Sequence, residues 1–204
     1  NLHADISLQR VFDLCAADSA CNSAFPDLKG KLDQALQRLR SGVRTSGTSS
    51  LTGRSYLVVM NAQRFLSAIR SMLYQGSLLG SVPQAIAQAA NGNYALPATV
   101  LIAAAEQPIS YGMNLSVVCA ENVAFYTPEL LADIPASVFF NRLPNDTYSE
   151  LCAVWRSAEL DASEVTPVSS NVPTLFLVGD FDPITPTAFA LATQMRFPNG
   201  VLAR

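Results

Sequence analysis

The chain has 204 residues, of which 50% are hydrophobic and 14% are charged, so it can bury a sizeable core and is not disordered. Its net charge of -3 and its pI near 5.1 provide no basic surface for nucleic acid. The longest apolar stretch, Ala95 to Ala105, contains Pro97 and is well below the roughly 20 residues that span a bilayer. We therefore expect a soluble protein with no nucleic-acid or membrane partner.

The first half of the chain is predicted to be mainly helical. Apolar residues recur at helical spacing in five segments: residues 6–17, 27–39, 61–75, 82–90 and 97–107. Asn61 is a typical N-cap for the third of them. Residues 43–45 and 56–60 predict a hairpin of two short strands, separated by a long Ser/Thr/Gly-rich loop over 41–53.

Ser110 lies in a motif similar to the Gly-x-Ser-x-Gly nucleophile elbow of serine hydrolases. That elbow needs a strand that leads into a strained turn and exposes the serine oxygen. Here proline replaces the first glycine, at Pro108, and a predicted helix precedes the motif. We therefore interpret Ser110 as a loop serine. No other Gly-x-Ser-x-Gly occurs in the sequence.

The number and spacing of the cysteines bear on the cellular compartment in which the protein folds. There are four of them, which allow three pairings: Cys15, Cys21, Cys119 and Cys152. They form no Cys-x-x-Cys pair, and the single histidine, His3, is distant from most of them, so no metal site is predicted. Two disulfides would indicate an oxidising compartment, whereas four buried thiols are the alternative.

The third quarter of the chain is again predicted to be helical. Thr127-Pro128-Glu129 is typical of a helix start, and a further helix is expected from Asn145 to Trp155. A polar link follows over residues 157–171.

The residues from Pro173 to Thr187 predict a strand, an acidic loop and a helix. The apolar run 174–178 favours a strand buried on both faces, and Gly179 allows a sharp turn. Asp180 and Asp182 follow, and Thr185 with Pro186 is expected to form the N-cap and first position of a helix that runs to about residue 196. Residues 200–204 then begin another strand. Ligands and catalytic groups collect beyond the carboxyl ends of strands in open α/β sheets.

This stretch resembles the late strand of one group of α/β-hydrolases. The pattern Val-Pro-Thr-Leu-x-x-x-Gly-x-x-Asp-Pro-x-Thr-Pro at residues 172–186 is similar to that of tripeptidyl aminopeptidases and proline iminopeptidases. The resemblance implies that Asp182, rather than Asp180, is the acid of a Ser-Asp-His triad. Such a carboxylate holds the catalytic imidazole in its productive tautomer and stabilises its protonated form.

Other segments resemble the helical cap of the same hydrolases. They are Asp-x-x-Cys-Asn-x-x-Phe-Pro-Asp-Leu at 18–28, Ser-Val-Val-Cys-Ala-Glu at 116–121 and Cys-x-x-Trp at 152–155. With the even number of cysteines, the match implies disulfides between Cys15 and Cys21 and between Cys119 and Cys152. It also implies that Glu121 binds the α-amino group of a peptide substrate; a solvated or helix-capping glutamate is the alternative.

The resemblance implies the C-terminal part of a secreted or periplasmic serine exopeptidase that forms an acyl-enzyme and needs no cofactor. The fold class is then an α/β-hydrolase fragment: a mostly helical cap with a short hairpin over residues 1–165, and a late sheet strand with the helix that follows it over 166–204. The expected partners are a peptide or small ester substrate and the rest of the hydrolase core. An esterase or lactonase on the same fold, or a non-catalytic helical binding module, is the alternative.

The catalytic serine and histidine are not expected among these 204 residues. In such hydrolases the triad follows the chain order Ser, Asp, His, and His3 precedes the acid. No signal peptide is visible at the start, and we expect the chain to be part of a longer enzyme. Alone, it is expected to be inactive.

Overall fold

The computed structural model describes residues 2–127, 129, 139–140, 147–161, 163–164 and 166–204. The helices are α1 (Leu2–Ala17), α2 (Ser19–Ala24), α3 (Leu28–Arg38), α4 (Ala62–Tyr74), α5 (Gly76–Leu79), α6 (Val82–Ala90), α7 (Ala95–Ala105), α8 (Tyr111–Glu121), α9 (Thr147–Val154) and α10 (Thr187–Gln194). The strands are β1 (Val43–Thr48), β2 (Ser55–Met60), β3 (Thr174–Leu177) and β4 (Gly200–Ala203), and a 3-10 turn covers Val123–Phe125. None of the helices in these ranges has the length and apolar character that crossing a bilayer requires.

Residues 2–105 form a helical body around one hydrophobic core. Helices α1, α3, α4, α6 and α7 and the end of β2 all contribute buried side chains. Helix α4 shows why the sequence folds this way: Asn61 accepts a hydrogen bond from the Arg64 amide at 2.9 Å, which starts the helix. Its apolar face, from Phe65 to Leu73, is then buried, and Tyr94 packs edge-on against Phe65 with ring centroids 5.9 Å apart. The predicted cap and apolar face of this helix are therefore confirmed.

The β1–β2 hairpin is antiparallel and its strands are longer than predicted. Val43 pairs with Met60 and Thr48 with Ser55, so the predicted long loop is reduced to residues 49–54. Gly47 packs directly on α7, where an added Cβ would lie 2.5 Å from the Thr99 nitrogen. Gly47 is thus explained by close packing of a strand on a helix, whereas Gly42 and Gly53, with φ of 71° and 69°, occupy left-handed turn positions.

Several helix boundaries also differ from the prediction. Helix α1 begins at Leu2, and α7 begins at Ala95 rather than at the proline. Residues 76–79, which follow the predicted segment 61–75, form the short helix α5. Two predictions fall on or beside residues outside the described ranges. They are the helix start at Thr127-Pro128-Glu129 and the beginning of the next helix at Asn145.

A parallel βαβ unit forms the end of the chain. Strand β3 pairs with β4 in register from Thr174 opposite Gly200 to Leu177 opposite Ala203, and α10 connects the two strands. The prediction that β3 is buried on both faces is wrong: Leu175 and Leu177 are 62% and 74% exposed. Among the described residues only β4 pairs with this strand, and its other face packs through Phe176 on Phe197.

Both predicted disulfides are present. Cys15–Cys21 joins α1 to α2, with Cα atoms 5.1 Å apart, and Cys119–Cys152 joins α8 to α9 at 5.3 Å. The second pair is reinforced by the Trp155 indole, which donates a hydrogen bond to the Ser116 hydroxyl at 3.1 Å. The structure therefore has no free thiol.

Replacing Cys119 and Cys152 with alanine should lower the free energy of unfolding more than replacing Cys15 and Cys21. The two disulfides close loops of 33 and 6 residues, for which chain entropy gives about 4 and about 2 kcal/mol. Urea unfolding of the two double variants measures this difference. The reverse order, or four free thiols on non-reducing peptide mapping, would contradict the assignment.

Candidate active site

The acid loop, residues 179–186, connects β3 to α10. It begins with a turn in which the Asp182 amide donates to the Gly179 carbonyl at 3.2 Å. It ends at Pro186, whose ψ of 159° is extended, so the helix begins only at Thr187. Pro183 is buried and fixes the middle of the loop. The loop therefore lies beyond the carboxyl end of a parallel strand, as the sequence predicts.

The carboxylate of Asp182 accepts three hydrogen bonds from its own loop. Its Oδ1 atom accepts from the amides of Ile184 and Thr185 at 2.8 and 2.9 Å. Its Oδ2 atom accepts from the Thr185 hydroxyl at 2.6 Å. This arrangement fixes the side chain in one orientation before any partner binds.

The prediction that Thr185 caps the following helix is wrong. Its hydroxyl is bonded to Asp182 rather than to an amide of α10, and the residue at the N-cap position is Pro186, which makes no side-chain cap. The Asp-Pro-x-Thr sequence forms a local turn in which the aspartate, not the threonine, collects the free amides.

Two opposing effects act on the pKa of Asp182. Partial burial raises it, but the hydrogen bonds from Thr185 and Ile184 together outweigh burial, so the pKa lies below its ordinary value. Asp182 is therefore an anion at neutral pH, which is the state that can stabilise an imidazolium.

Asp180 has a different environment from Asp182. Its carboxylate forms an ion pair with Arg10 of α1 at 3.1 Å and lies 4.0 Å from the Arg204 guanidinium. Arg10 also stacks on Phe181, with its guanidinium carbon 5.0 Å from the ring centroid. Asp180 thus ties the acid loop to the helical body, whereas Asp182 keeps its bonds within the loop.

The described contacts do not assemble a triad. His3 packs edge-on against Phe189 of α10, with centroids 5.0 Å apart, and no described hydrogen bond joins it to Asp182. Ser110 is exposed and precedes α8, with helix α7 rather than a strand before it. The interpretation of Ser110 as a loop serine agrees with this placement.

Glu121 is the last residue of α8 and is exposed. Together with Phe125, Leu160 and Glu164 it lines a cavity of about 660 Å³. The described lining of this cavity does not include Asp182. That Glu121 and Asp182 face one cleft stays a prediction.

Helix α4 also carries a polar face that was not predicted from the sequence. Ser67, Arg70, Ser71 and Tyr74 follow the spacing i, i+3, i+4, i+7, opposite the apolar face that predicted the helix. They line a cavity of about 250 Å³ that Ile184 of the acid loop also borders. The spacing of this polar face can be read from the sequence, but the position of Ile184 beside it cannot.

Within the described ranges, no group of three His, Cys, Asp or Glu side chains is arranged to hold a metal ion. All four cysteines are in disulfides and therefore offer no thiolate ligands.

A known protein family matches the C-terminal third of the chain. Residues 137–203 match the model described as TAP-like protein, within the α/β-hydrolases. This segment, which includes the acid loop, corresponds to the C-terminal part of a TAP-like α/β-hydrolase. It covers about a third of the chain. The searches of curated proteins and of solved structures gave no match.

Substituting Thr185 with valine should reduce the stability that the ionised Asp182 contributes. The lowered pKa of folded Asp182 stabilises the protein above the unfolded value of about 3.9, and this stability is lost as the pH falls through the folded pKa. Without the hydroxyl, the folded pKa rises and the variant loses at most about 1 kcal/mol at pH 7, but less at pH 3.

Urea unfolding at pH 7 and pH 3 measures this effect. Thr185→Ser keeps the donor, and Thr187→Val changes a threonine at the start of α10 that makes no described side-chain hydrogen bond; both should keep the wild-type pH dependence. An equal loss for Thr185→Val at both pH values would contradict the role of Asp182.

Proposed function

We propose that the chain is part of a serine exopeptidase that removes short peptides from free N-termini through an acyl-enzyme. The observation that carries this proposal is Asp182, an ionised and fully oriented carboxylate on the loop after a parallel strand. It lies inside the segment that matches TAP-like α/β-hydrolases.

Asp182 acts on the imidazole of the triad. The carboxylate accepts the Nδ1–H of that ring, selects its tautomer and stabilises the imidazolium that forms when the serine attacks the scissile carbonyl. The serine then carries the acyl group until water releases it. We assign the serine and the histidine to residues outside these 204, so the chain alone has no nucleophile to activate.

The open face of the βαβ unit supports a larger hydrolase core. Leu175, Leu177 and Val201 are each more than 60% exposed and lie on the β3–β4 pair. Apolar residues at alternate positions of parallel strands are usually covered by a second layer. We infer that the rest of the hydrolase core covers them, and that residues 1–165 are the cap and 166–204 the core piece.

The cavity beside Glu121 supports recognition of an amino group. Glu121 and Glu164 both line it, and the Glu121 carboxylate has no described hydrogen bond or ion pair. A carboxylate that is free to pair with a cation suits the α-ammonium group of a peptide. The two disulfides further support a secreted or periplasmic location, because such bonds persist in oxidising compartments.

Glu121→Gln in the complete enzyme should raise KM for peptides with a free N-terminus by about 10-fold, since a charged hydrogen bond is lost. KM for N-acetylated ester substrates should change little, because they offer no cation. Steady-state kinetics with both substrate types measures the difference.

The matched control is Glu150→Gln, an exposed glutamate in the first turn of α9. It should leave both KM values unchanged. An equal effect of Glu121→Gln on peptides and blocked esters would refute the amino-group role and favour an esterase.

A further inference from the structure

The polar cleft between α4 and the acid loop has the composition of a binding site. Its described lining is Ser67, Arg70, Ser71, Tyr74, Gln75 and Ile184. The lining includes one guanidinium, three hydroxyls and one amide, and among these described residues there is no carboxylate. Arg70 therefore carries the one formal charge among the described lining residues, and the Asp182 carboxylate lies behind Ile184, bonded to its amide.

Arg70 is half-buried and has no hydrogen bond or ion pair with any described residue. The side chains of Ser67, Ser71, Tyr74 and Gln75 likewise make none with the described part of the chain. By contrast, Arg10 pairs with Asp180 and Arg64 donates to the Val59 carbonyl. The donors of this cleft are thus available to a ligand.

The cleft is connected to the candidate acid through Ile184. This residue borders the cleft, and its amide donates to Asp182 Oδ1 at 2.8 Å. A group bound in the cleft would therefore contact the residue whose amide orients the candidate acid.

We propose that this cleft binds a carboxylate of the peptide substrate, with Arg70 as its main contact. A planar guanidinium matches a carboxylate through two parallel hydrogen bonds, and the serine and tyrosine hydroxyls can donate to the same oxygens. The volume of about 250 Å³ is below that of sites for drug-sized ligands, so the cleft holds one carboxylate-bearing group rather than a whole peptide. The identification of the ligand as a peptide rests on the proposed function.

NMR titration of the 204-residue chain tests this site without any turnover. The probes are acetyl-alanyl-alanine, which has a free C-terminal carboxylate, its C-terminal amide, and acetyl-glutamate amide, whose only carboxylate is in the side chain. The amide signals of Ser71 and Ile184 and the Nε–H of Arg70 are followed. Carboxylate probes should shift these signals, and the neutral amide should not. The carboxylate probe that binds more tightly identifies whether the C-terminal or the side-chain carboxylate of the substrate is bound.

Arg70→Gln should weaken carboxylate binding by about 10-fold or more. Arg70→Lys keeps the charge but loses the two parallel N–H donors of the guanidinium, so it should weaken binding less. The matched control is Arg44→Gln, an exposed arginine of β1 with no described partner. It should bind as the wild type does. Unchanged signals elsewhere in the spectrum establish that each variant is folded.

Any of four results would overturn the proposal. They are equal shifts with the neutral amide, unchanged binding in Arg70→Gln, no binding of either acid, and tighter binding of inorganic phosphate than of the acids. A failure of the proposed carboxylate site can be distinguished from a failure of the proposed exopeptidase function. Carboxylate binding to a complete enzyme that hydrolyses no peptide would refute the function, whereas peptide hydrolysis without carboxylate binding would refute the cleft.

Discussion

The three hydrogen bonds that Asp182 accepts from Ile184 and Thr185 are the constraint on which the candidate site depends. They fix the carboxylate and keep it ionised despite partial burial. The bonds are made within four residues, so the local sequence sets the geometry of the acid.

Contacts from α1 position the loop as a whole. Arg10 pairs with Asp180 and stacks on Phe181, which packs against the core of the helical body, and His3 contacts Phe189 at the start of α10. The two side chains of the ion pair are 46% and 30% exposed, so the pair contributes only about 0.2–1 kcal/mol and its role is to orient rather than to stabilise. The helical body and the βαβ unit therefore meet at the acid loop.

Features set by short-range chemistry could be predicted from the sequence. Asn61 and the apolar spacing of α4 gave the cap and buried face of that helix, and the apolar run before Asp180 gave strand β3. Where two local motifs competed, the prediction failed: Thr185 could cap a helix or bond Asp182, and the extended Pro186 favours the second.

Features set by distant residues could not be predicted. Position 47 of β1 has no room for a Cβ because α7 packs closely on it, and Arg10 meets Asp180 across 170 residues. The exposure of Leu175 and Leu177 depends on which layers surround β3, which the apolar run itself does not reveal. The cleft at Arg70 likewise needs the fold to bring α4 beside Ile184.

The most direct test of the central claim is the kcat of the complete enzyme carrying Asp182→Asn, compared with Asp180→Asn as the neighbouring control. If Asp182 orients the catalytic imidazole, its amide variant should remain folded and lose about 10⁴-fold in kcat. Asp180→Asn should lose far less, because that carboxylate only anchors the loop. Comparable activity of the two variants would contradict the assignment of Asp182 as the triad acid.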